Sequence, residues 1–275
     1  MTRILVIDGY DAAGMASLAD AGATKAGILY KAMLAEFMPA SHIETVDISL
    51  KEPPVIDASR YDGVCWTGSN LSFSTGDHVT QRHITVARAF FEKGIPQFGS
   101  CWAAQLAAAA TDGTVEANPK GREFGISRKI ALTEAGKTHP MFKGKPLHFE
   151  GFTSHGDIVT NLPQGAQVLA GNNVARVQAL ALTYGAGEFW AVQYHPEYDF
   201  AEIGALTIAR KGALIAQGSF RDEAAVMAYV QDMRDFGADK TRIDIAWKYG
   251  IEADLSDTAL RTIEVKNWLS YFFNI

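Results

Sequence analysis

Short apolar runs alternate with helix-like segments through the first part of the chain, and this alternation restricts the possible fold more than any other feature. Within 80–93 the apolar residues recur close to helical spacing, and the segment stops at Gly94. The apolar runs predict strands near residues 3–8, 42–47, 62–66 and 95–98, with helices between them. Strands that alternate with helices predict an α/β fold with a mostly parallel central sheet flanked by helices.

The pattern changes in the second half of the chain. From residue 126 to 194, shorter strand-like runs separated by turns predict added antiparallel strands, including a hairpin that leads into His195. Beyond Glu197 the sequence is helical, with candidate helices at 200–217, 223–236, 242–249 and 256–273. We therefore predict a main domain of residues 1–220 and a C-terminal helical extension of residues 221–275 packed on it.

Two connecting regions carry further expectations. The stretch 11–27 is rich in Ala and Gly and longer than a common connection, so we predict a loop at the strand ends, where ligands bind in such sheets. The last helical candidate, 257–273, carries enough apolar surface to demand a packing partner. We expect it to pack on its own domain, with a second copy of the chain as the alternative.

A thiol lies at a predicted corner between a strand and a helix. In the segment 97–105 (QFGSCWAAQ), Gly99 precedes Cys101 and small residues follow it, as in the elbow that carries nucleophiles in hydrolases. A helix N-terminus favours the thiolate, so this corner would activate Cys101. The alternative is a buried structural cysteine, which is what we predict for Cys65 in its apolar run.

An imidazole and a carboxylate follow far downstream, in the segment 193–197 (QYHPE). On a strand, alternation would place His195 and Glu197 on the same face, and Pro196 suggests that the strand ends there. A carboxylate behind an imidazole fixes its tautomer and orientation, and the imidazole can then exchange a proton with a thiol. We therefore predict a triad of Cys101, His195 and Glu197.

At these two segments the chain resembles the class I glutamine amidotransferase family. Gly99, Cys101 and Gln105 match its nucleophile motif G-x-C-x-G-x-Q, and residues 195–197 match its H-P-E. Ala103 stands where the family usually has glycine, and its methyl group is expected to narrow the substrate pocket. The resemblance implies a flavodoxin-like arrangement of the predicted α/β fold and hydrolysis of glutamine.

Two further segments extend the resemblance, which covers roughly residues 3–215. The strand and loop at 61–70 are similar to the family's S-G-G-P loop, which implies an oxyanion hole formed by backbone N–H groups of Gly68, Ser69 and Trp102. In this chain Ser69 and Asn70 replace the glycine and the proline of that loop. Preorganised donors of this kind stabilise the charge that develops on a substrate carbonyl oxygen.

The segment 152–159 is similar to the S-H-G-D stretch in the amidotransferase part of GMP synthases. The resemblance implies that this segment holds glutamine together with Gln105, and the residues concerned are Ser154, His155, Gly156 and Asp157. His155 is also a candidate for a structural loop hydrogen bond. We prefer His195 as the catalytic base, since Glu197 specifies its role.

Composition and missing motifs exclude several other classes of function. A net charge of −6 without a basic patch argues against nucleic-acid binding. No signal peptide or membrane-length apolar run is evident, so we expect a cytoplasmic protein with no membrane partner. His78 and His83 lack metal-ligand spacing and no phosphate-binding loop is present, so we predict no metal and no cofactor.

Three hypotheses for the function follow from these observations. The first is a glutaminase that releases ammonia through a glutamyl thioester on Cys101, for a separate synthase subunit. The second is a stand-alone hydrolase or transferase that acts on glutamine or another γ-glutamyl amide. The third is a non-catalytic binding module that kept the fold, which the intact Cys101, His195 and Glu197 disfavour.

Overall fold

The computed structural model describes residues 1–75 and 78–275. Within these residues, the strands are β1 (Arg3–Asp8), β2 (His42–Asp47), β3 (Gly63–Trp66), β4 (Gln97–Ser100), β5 (Thr114–Ala117), β6 (Glu123–Leu132), β7 (His148–His155), β8 (Asp157–Asn161), β9 (Gln167–Gly171), β10 (Ala179–Tyr184) and β11 (Gly187–Val192). The α-helices are α1 (Ala12–Asp20), α2 (Ala26–Phe37), α3 (His78–Glu92), α4 (Trp102–Ala110), α5 (Glu134–Thr138), α6 (Phe200–Ala209), α7 (Lys211–Ala216), α8 (Glu223–Ala238), α9 (Ile243–Tyr249), α10 (Ala253–Ser256), α11 (Thr258–Arg261) and α12 (Ile263–Phe273). Short 3-10 turns occupy Ala58–Arg60, Phe73–Thr75 and Pro140–Phe142.

Nine of the described strands form one mixed sheet in the order β2-β1-β3-β4-β11-β10-β9-β6-β7. The five strands from β2 to β11 pair in parallel, and the pairs from β11 to β7 are antiparallel. Strands β5 and β8 make a separate antiparallel pair. This confirms the predicted α/β fold with a mostly parallel core and added antiparallel strands, including the β10–β11 hairpin that leads towards His195.

The central parallel strands β1, β3 and β4 are buried on both faces, whereas the edge strand β2 is only partly buried. In β1, Ile4 and Val6 point into one core cluster, and Leu5 and Ile7 point into the other. The first cluster includes side chains from α2 and α12, and the second includes side chains from α3 and α4. Burial on both faces explains why these strands read as continuous apolar runs in the sequence.

The predicted loop at 11–27 is wrong, because most of it is helical. Asp11 caps the N-terminus of α1, and its carboxylate accepts a hydrogen bond of 2.7 Å from the Gly14 N–H. Leu18 anchors this helix in a third apolar cluster, together with Phe200 of α6. Ala favours helix strongly, and the Asp11 cap outweighs the cost of Gly14.

The C-terminal helices pack against the rest of the chain. Trp268 of α12 is fully buried and its ring lies 5.7 Å from that of Phe98 in β4. The candidate helix at 256–273 is broken into shorter helices at Asp257 and Thr262, and the candidate at 200–217 is broken at Arg210. The division into domains at residue 220 stays a prediction. No helix of the described residues has both the length and the apolar character needed to cross a membrane.

Candidate active site

Cys101 occupies a sharp turn between β4 and α4. Its backbone has φ 57° and ψ −106°, a conformation that residues other than glycine rarely adopt. Its N–H donates to the Val192 carbonyl at 2.7 Å, which ties the turn to β11. The side chain is buried, and Sγ lies 3.7 Å from the Ser154 carbonyl oxygen. The predicted elbow is therefore present, with the thiol at the N-terminus of a helix.

Residue 99 must be glycine, because Ala103 and the Trp66 backbone lie very close to its Cα atom. A Cβ atom built on Gly99 would lie 2.3 Å from the Cβ of Ala103 and 2.7 Å from the Trp66 carbonyl oxygen. Ala103 is fully buried on this side of the helix and does not line the cavity beside Cys101. The expectation that its methyl group narrows the substrate pocket is therefore wrong, because that methyl group points towards Gly99.

His195 and Glu197 are hydrogen-bonded to each other. The distance from His195 Nδ1 to Glu197 Oε1 is 2.7 Å, and the same carboxylate oxygen accepts a bond of 2.8 Å from the Ser100 hydroxyl. Both residues lie beyond the end of β11, in a turn, so the prediction that they share a strand face is wrong. The His195 N–H donates to the Phe152 carbonyl at 2.7 Å and fixes this turn against β7.

The electrostatics of His195 favour its protonated form. Burial alone would lower its pKa, but the negative charges of Cys101 and Glu197, with hydrogen bonds to both, raise the pKa from 6.5 to about 9. The ring of Tyr198 stacks on the imidazole at 3.9 Å with an interplanar angle of 6°. Since Nδ1 faces Glu197, the other ring nitrogen is the one available to the thiol.

The loop after β3 lies directly against the imidazole. A Cβ atom built on Gly68 would lie 2.9 Å from His195 Cε1 and 3.7 Å from Cys101 Cβ. Ser69 donates from its hydroxyl to the Gly9 carbonyl at 2.7 Å, and Asn70 donates from its side chain to Asp11 Oδ1 at 2.9 Å. The two side chains that replace the family's glycine and proline thus anchor this loop to the segment after β1.

The segment from Ser154 to Asp157 forms another wall of the site. Gln105 of α4 donates from Nε2 to the Asp157 carbonyl at 3.0 Å. His155 does not contact the thiol through its ring: Nε2 lies 2.8 Å from Glu123 Oε2, and Nδ1 lies 3.0 Å from the Asp157 carbonyl oxygen. These contacts match the structural alternative that the sequence left open for His155.

A cavity of about 160 Å³ opens beside Cys101. It brings together most of the residues predicted for the site, and those that line it are Ser69, Cys101, Trp102, Gln105, Ser154, His155, Gly156 and Asp157. Arg122 and Arg210 also line it, and neither was predicted from the sequence. Ser100, the partner of Glu197, was missed as well, although its position next to Cys101 was a usable signal.

Comparisons with known proteins place this chain in a family. The model of the family described as "Glutamine amidotransferase class-I" matches residues 29–212, which include the elbow and the 195–197 turn. The chain belongs to the class-I glutamine amidotransferase family. The resemblance inferred from the sequence motifs is thereby confirmed.

Two relatives share different fractions of their length with this chain. The chain is 30% identical to a gamma-glutamyl-L-1-hydroxyisopropylamide hydrolase from Pseudomonas sp. over 98% of this chain and 92% of that protein. It is 32% identical to a glutamine-hydrolysing GMP synthase from Lactobacillus delbrueckii subsp. bulgaricus over 61% of this chain. That match spans only 31% of the GMP synthase.

Solved structures of glutamine amidotransferases share the fold. A glutamine amidotransferase from Thermotoga maritima superposes with a TM-score of 0.65 at 16% identity, covering 98% of this chain and 97% of that one. A glutamine amidotransferase from Methylobacillus flagellatus gives 0.64 at 17% identity, covering 97% and 95%. At these identities the likeness concerns the fold alone.

Proposed function

We propose that this protein is a cysteine-dependent hydrolase of γ-glutamyl amides, with Cys101 as nucleophile, His195 as acid and base, and Glu197 as the group that orients His195. The observation that carries the proposal is the buried thiol at a helix N-terminus, electrostatically coupled to an imidazole that is hydrogen-bonded to a carboxylate. A thiolate paired with an imidazolium is the reactive form of such a nucleophile.

The reaction begins when the Cys101 thiolate attacks the γ-carbonyl carbon and the carbonyl oxygen takes the negative charge. Backbone N–H groups of Gly68, Ser69 and Trp102 are proposed to donate to this oxygen. Trp102 is the first residue of α4, where a backbone N–H has no acceptor within the helix. Removing one such donor typically slows a reaction roughly 100-fold or more.

The tetrahedral intermediate then collapses. The carbon–nitrogen bond breaks, the imidazolium of His195 gives its proton to the departing amine, and a γ-glutamyl thioester remains on Cys101. Water then gives a proton to the neutral imidazole and attacks the thioester carbonyl. Glutamate leaves, and the thiolate and imidazolium are restored.

The substrate is proposed to lie along the wall formed by Gln105 and the segment from Ser154 to Asp157. The hydrogen bond from Gln105 to the Asp157 carbonyl holds this segment beside Cys101. In this position the segment can contact the γ-glutamyl group of a bound substrate. Similarity over nearly the full length to a gamma-glutamyl-L-1-hydroxyisopropylamide hydrolase supports substituted amides as substrates.

The second candidate is a glutaminase that supplies ammonia to a separate synthase subunit. The 32% identity to a glutamine-hydrolysing GMP synthase favours it. The two candidates share the same steps at Cys101 and differ in the leaving group, which is ammonia in the glutaminase and a substituted amine in the hydrolase.

Turnover of purified protein distinguishes these candidates. Glutamate release is measured with glutamine and a panel of γ-glutamyl N-alkyl amides, and the proposal expects the alkyl amides to have the higher kcat/KM. Cys101→Ala should lower kcat by roughly 10⁴-fold or more. Cys65→Ala is the matched control, because that thiol is buried in the first core cluster and burial raises its pKa. Wild-type rates in Cys101→Ala would contradict the proposal.

A further inference from the structure

Two guanidinium groups face the cavity that contains Cys101. Arg122 immediately precedes β6, and Arg210 immediately follows α6, so that the two arginines reach the cavity from different elements. Neither arginine takes part in the steps proposed above. Among the residues that the structure describes, neither has a carboxylate within ion-pair distance.

Arg210 is held in place by a hydrogen bond, but not all of its N–H donors are used. Its Nη2 donates to the Tyr10 hydroxyl at 3.4 Å, whereas its buried Nη1 has no hydrogen-bond partner within the described parts of the chain. Arg122 borders the segment from Ser154 to Asp157, since its Nη2 lies 3.4 Å from a Cβ atom built on Gly156. The two side chains therefore retain donors that a bound ligand can use.

Their environment favours an anion. Burial, together with the positive charge of Arg210, lowers the pKa of Arg122, so the two cations lie within electrostatic reach of each other. Asp157 is the carboxylate that lines the cavity, and its Oδ2 accepts a hydrogen bond from Ser72. Buried like charges that have no ion-pair partner are unfavourable, and an anionic ligand would relieve both their repulsion and their lost hydration.

We propose that Arg122 and Arg210 together bind a carboxylate group of the substrate. This inference rests on the proposed function, and it adds that the substrate must carry a carboxylate that the cavity can bind. Guanidinium groups present paired donors that match the two oxygens of a carboxylate. The carboxylate has two sources, the α-carboxylate of the γ-glutamyl group or a carboxylate carried by the amine, and the substrates below distinguish them.

Alkylation of Cys101 tests the anion site without any turnover. Iodoacetate and iodoacetamide form the same kind of bond, in which the thiolate displaces iodide, but only iodoacetate carries a carboxylate. In the Cys65→Ala background, Arg122→Gln and Arg210→Gln should each slow alkylation by iodoacetate about 10- to 100-fold while the rate with iodoacetamide stays within about twofold. Arg176→Gln, which removes an exposed guanidinium elsewhere, should change neither rate.

Equal slowing by both reagents would overturn the proposal, because the arginines would then act on the thiolate itself. Unchanged rates in both arginine variants would overturn it as well. Arg122→Lys and Arg210→Lys keep the charge and guard against loss of the fold, and each should restore part of the iodoacetate rate. Thermal unfolding of every variant identifies those that remain folded.

Three substrates then identify the carboxylate. γ-Glutamyl ethylamide carries the α-carboxylate alone, γ-glutamylglycine carries a second carboxylate on the amine, and 4-aminobutanoyl ethylamide carries none. Loss of kcat/KM in the arginine variants for the first two substrates but not the third assigns the α-carboxylate. Loss for γ-glutamylglycine alone assigns the amine's carboxylate, and equal loss for all three contradicts the proposal. Absence of wild-type turnover with iodoacetate selectivity intact would contradict the proposed function and not the anion site.

Discussion

At the scale of single residues, Cys101 is held where its backbone is strained and its thiol is flanked by positive charge. A residue other than glycine in this conformation costs about 1–3 kcal/mol, which the surrounding packing must offset. The hydrogen bond from its N–H to Val192 and the missing side chain at Gly99 allow the turn. Backbone strain at a buried thiol supports the role proposed for Cys101.

Gly68→Ala should disable the site without unfolding the protein. The added methyl group would lie 2.9 Å from His195 Cε1, so the imidazole or the loop must shift and the geometry beside Cys101 is disturbed. We expect kcat to fall roughly 100-fold. Gly212→Ala is the control, because no atom lies within 4 Å of its new methyl group. Circular dichroism should be unchanged in both variants, and full activity in Gly68→Ala would contradict the placement of His195.

Ser100→Ala removes one of the two hydrogen bonds to Glu197 Oε1 and leaves the bond from His195. We expect a moderate loss, about 10-fold in kcat, because the carboxylate is less firmly oriented. Glu197→Gln should cost far more, roughly 10⁴-fold, because an amide can stabilise the wrong imidazole tautomer. Steady-state kinetics of both variants check this order, and a larger loss in Ser100→Ala would contradict it.

From the sequence, site residues could be predicted only where they belong to a distinctive motif. Cys101, His195 and Glu197 were predicted because a thiol at a strand end and an H-P-E segment are distinctive. Arg122 and Arg210 were not, because an arginine that lines a cavity reads like any surface arginine until the fold brings the two elements together. The same holds for Glu123 as the partner of His155, 32 residues away.

At the scale of elements, α12 is hydrogen-bonded to Tyr194, which lies between the end of β11 and His195. Glu264 of this helix forms a buried ion pair of 2.9 Å with Lys145, and the same carboxylate oxygen accepts a hydrogen bond of 2.5 Å from the Tyr194 hydroxyl. Lys145 also donates to the Leu260 carbonyl at 2.8 Å. The C-terminal helices are thus linked by polar contacts to the end of the sheet that carries the candidate site.

Glu264→Gln should therefore destabilise the fold strongly. Removing one partner of a fully buried ion pair leaves the Lys145 charge uncompensated, at a cost of about 3–5 kcal/mol. The control is Glu223→Gln, since the Glu223 pair with Lys211 is exposed and should contribute less than about 1 kcal/mol. Urea denaturation measures both changes. A similar midpoint for the two variants would contradict the role of the buried pair.

The elements themselves were predicted well where packing and sequence pattern agree. The four N-terminal strands were found within about two residues of their observed bounds. Burial on both faces leaves apolar runs in β1 and β3, whereas the edge strand β2 is only partly buried. Helix α1 was missed, because its Ala- and Gly-rich sequence has little amphipathic pattern and it packs against α6, far away in the sequence. Its Asp11 cap was the one local signal.

At the scale of the whole molecule, the site lies where the parallel and antiparallel parts of the sheet meet. Cys101 follows β4 and His195 follows its neighbour β11, whereas the wall from Ser154 to Asp157 comes from β7 at the far edge. No local pattern in the sequence gives this arrangement, because it depends on the order of the strands. The site residues were predicted to lie together only because their motifs resemble those of the family.

The charge state of the site should also appear in the stability of the whole protein. Because the pKa of His195 is raised from 6.5 to about 9, its contribution is fully present below pH 6.5 and is lost as the pH rises to about 9. This contribution is on the order of 3 kcal/mol. Urea unfolding of the wild type and His195→Gln across pH 6–10 measures it. The variant should lack this decrease, and parallel curves would contradict the raised pKa.

Covalent trapping of the nucleophile tests the central claim most directly. A glutamine-like diazoketone is incubated with the wild type, Cys101→Ala and Cys65→Ala, and the labelled peptide is identified by mass spectrometry. We predict one adduct per chain on Cys101 in the wild type and in Cys65→Ala, with loss of γ-glutamyl amide hydrolysis in proportion to labelling, and no adduct in Cys101→Ala. Labelling of another residue, or hydrolysis that survives complete labelling of Cys101, would contradict the account.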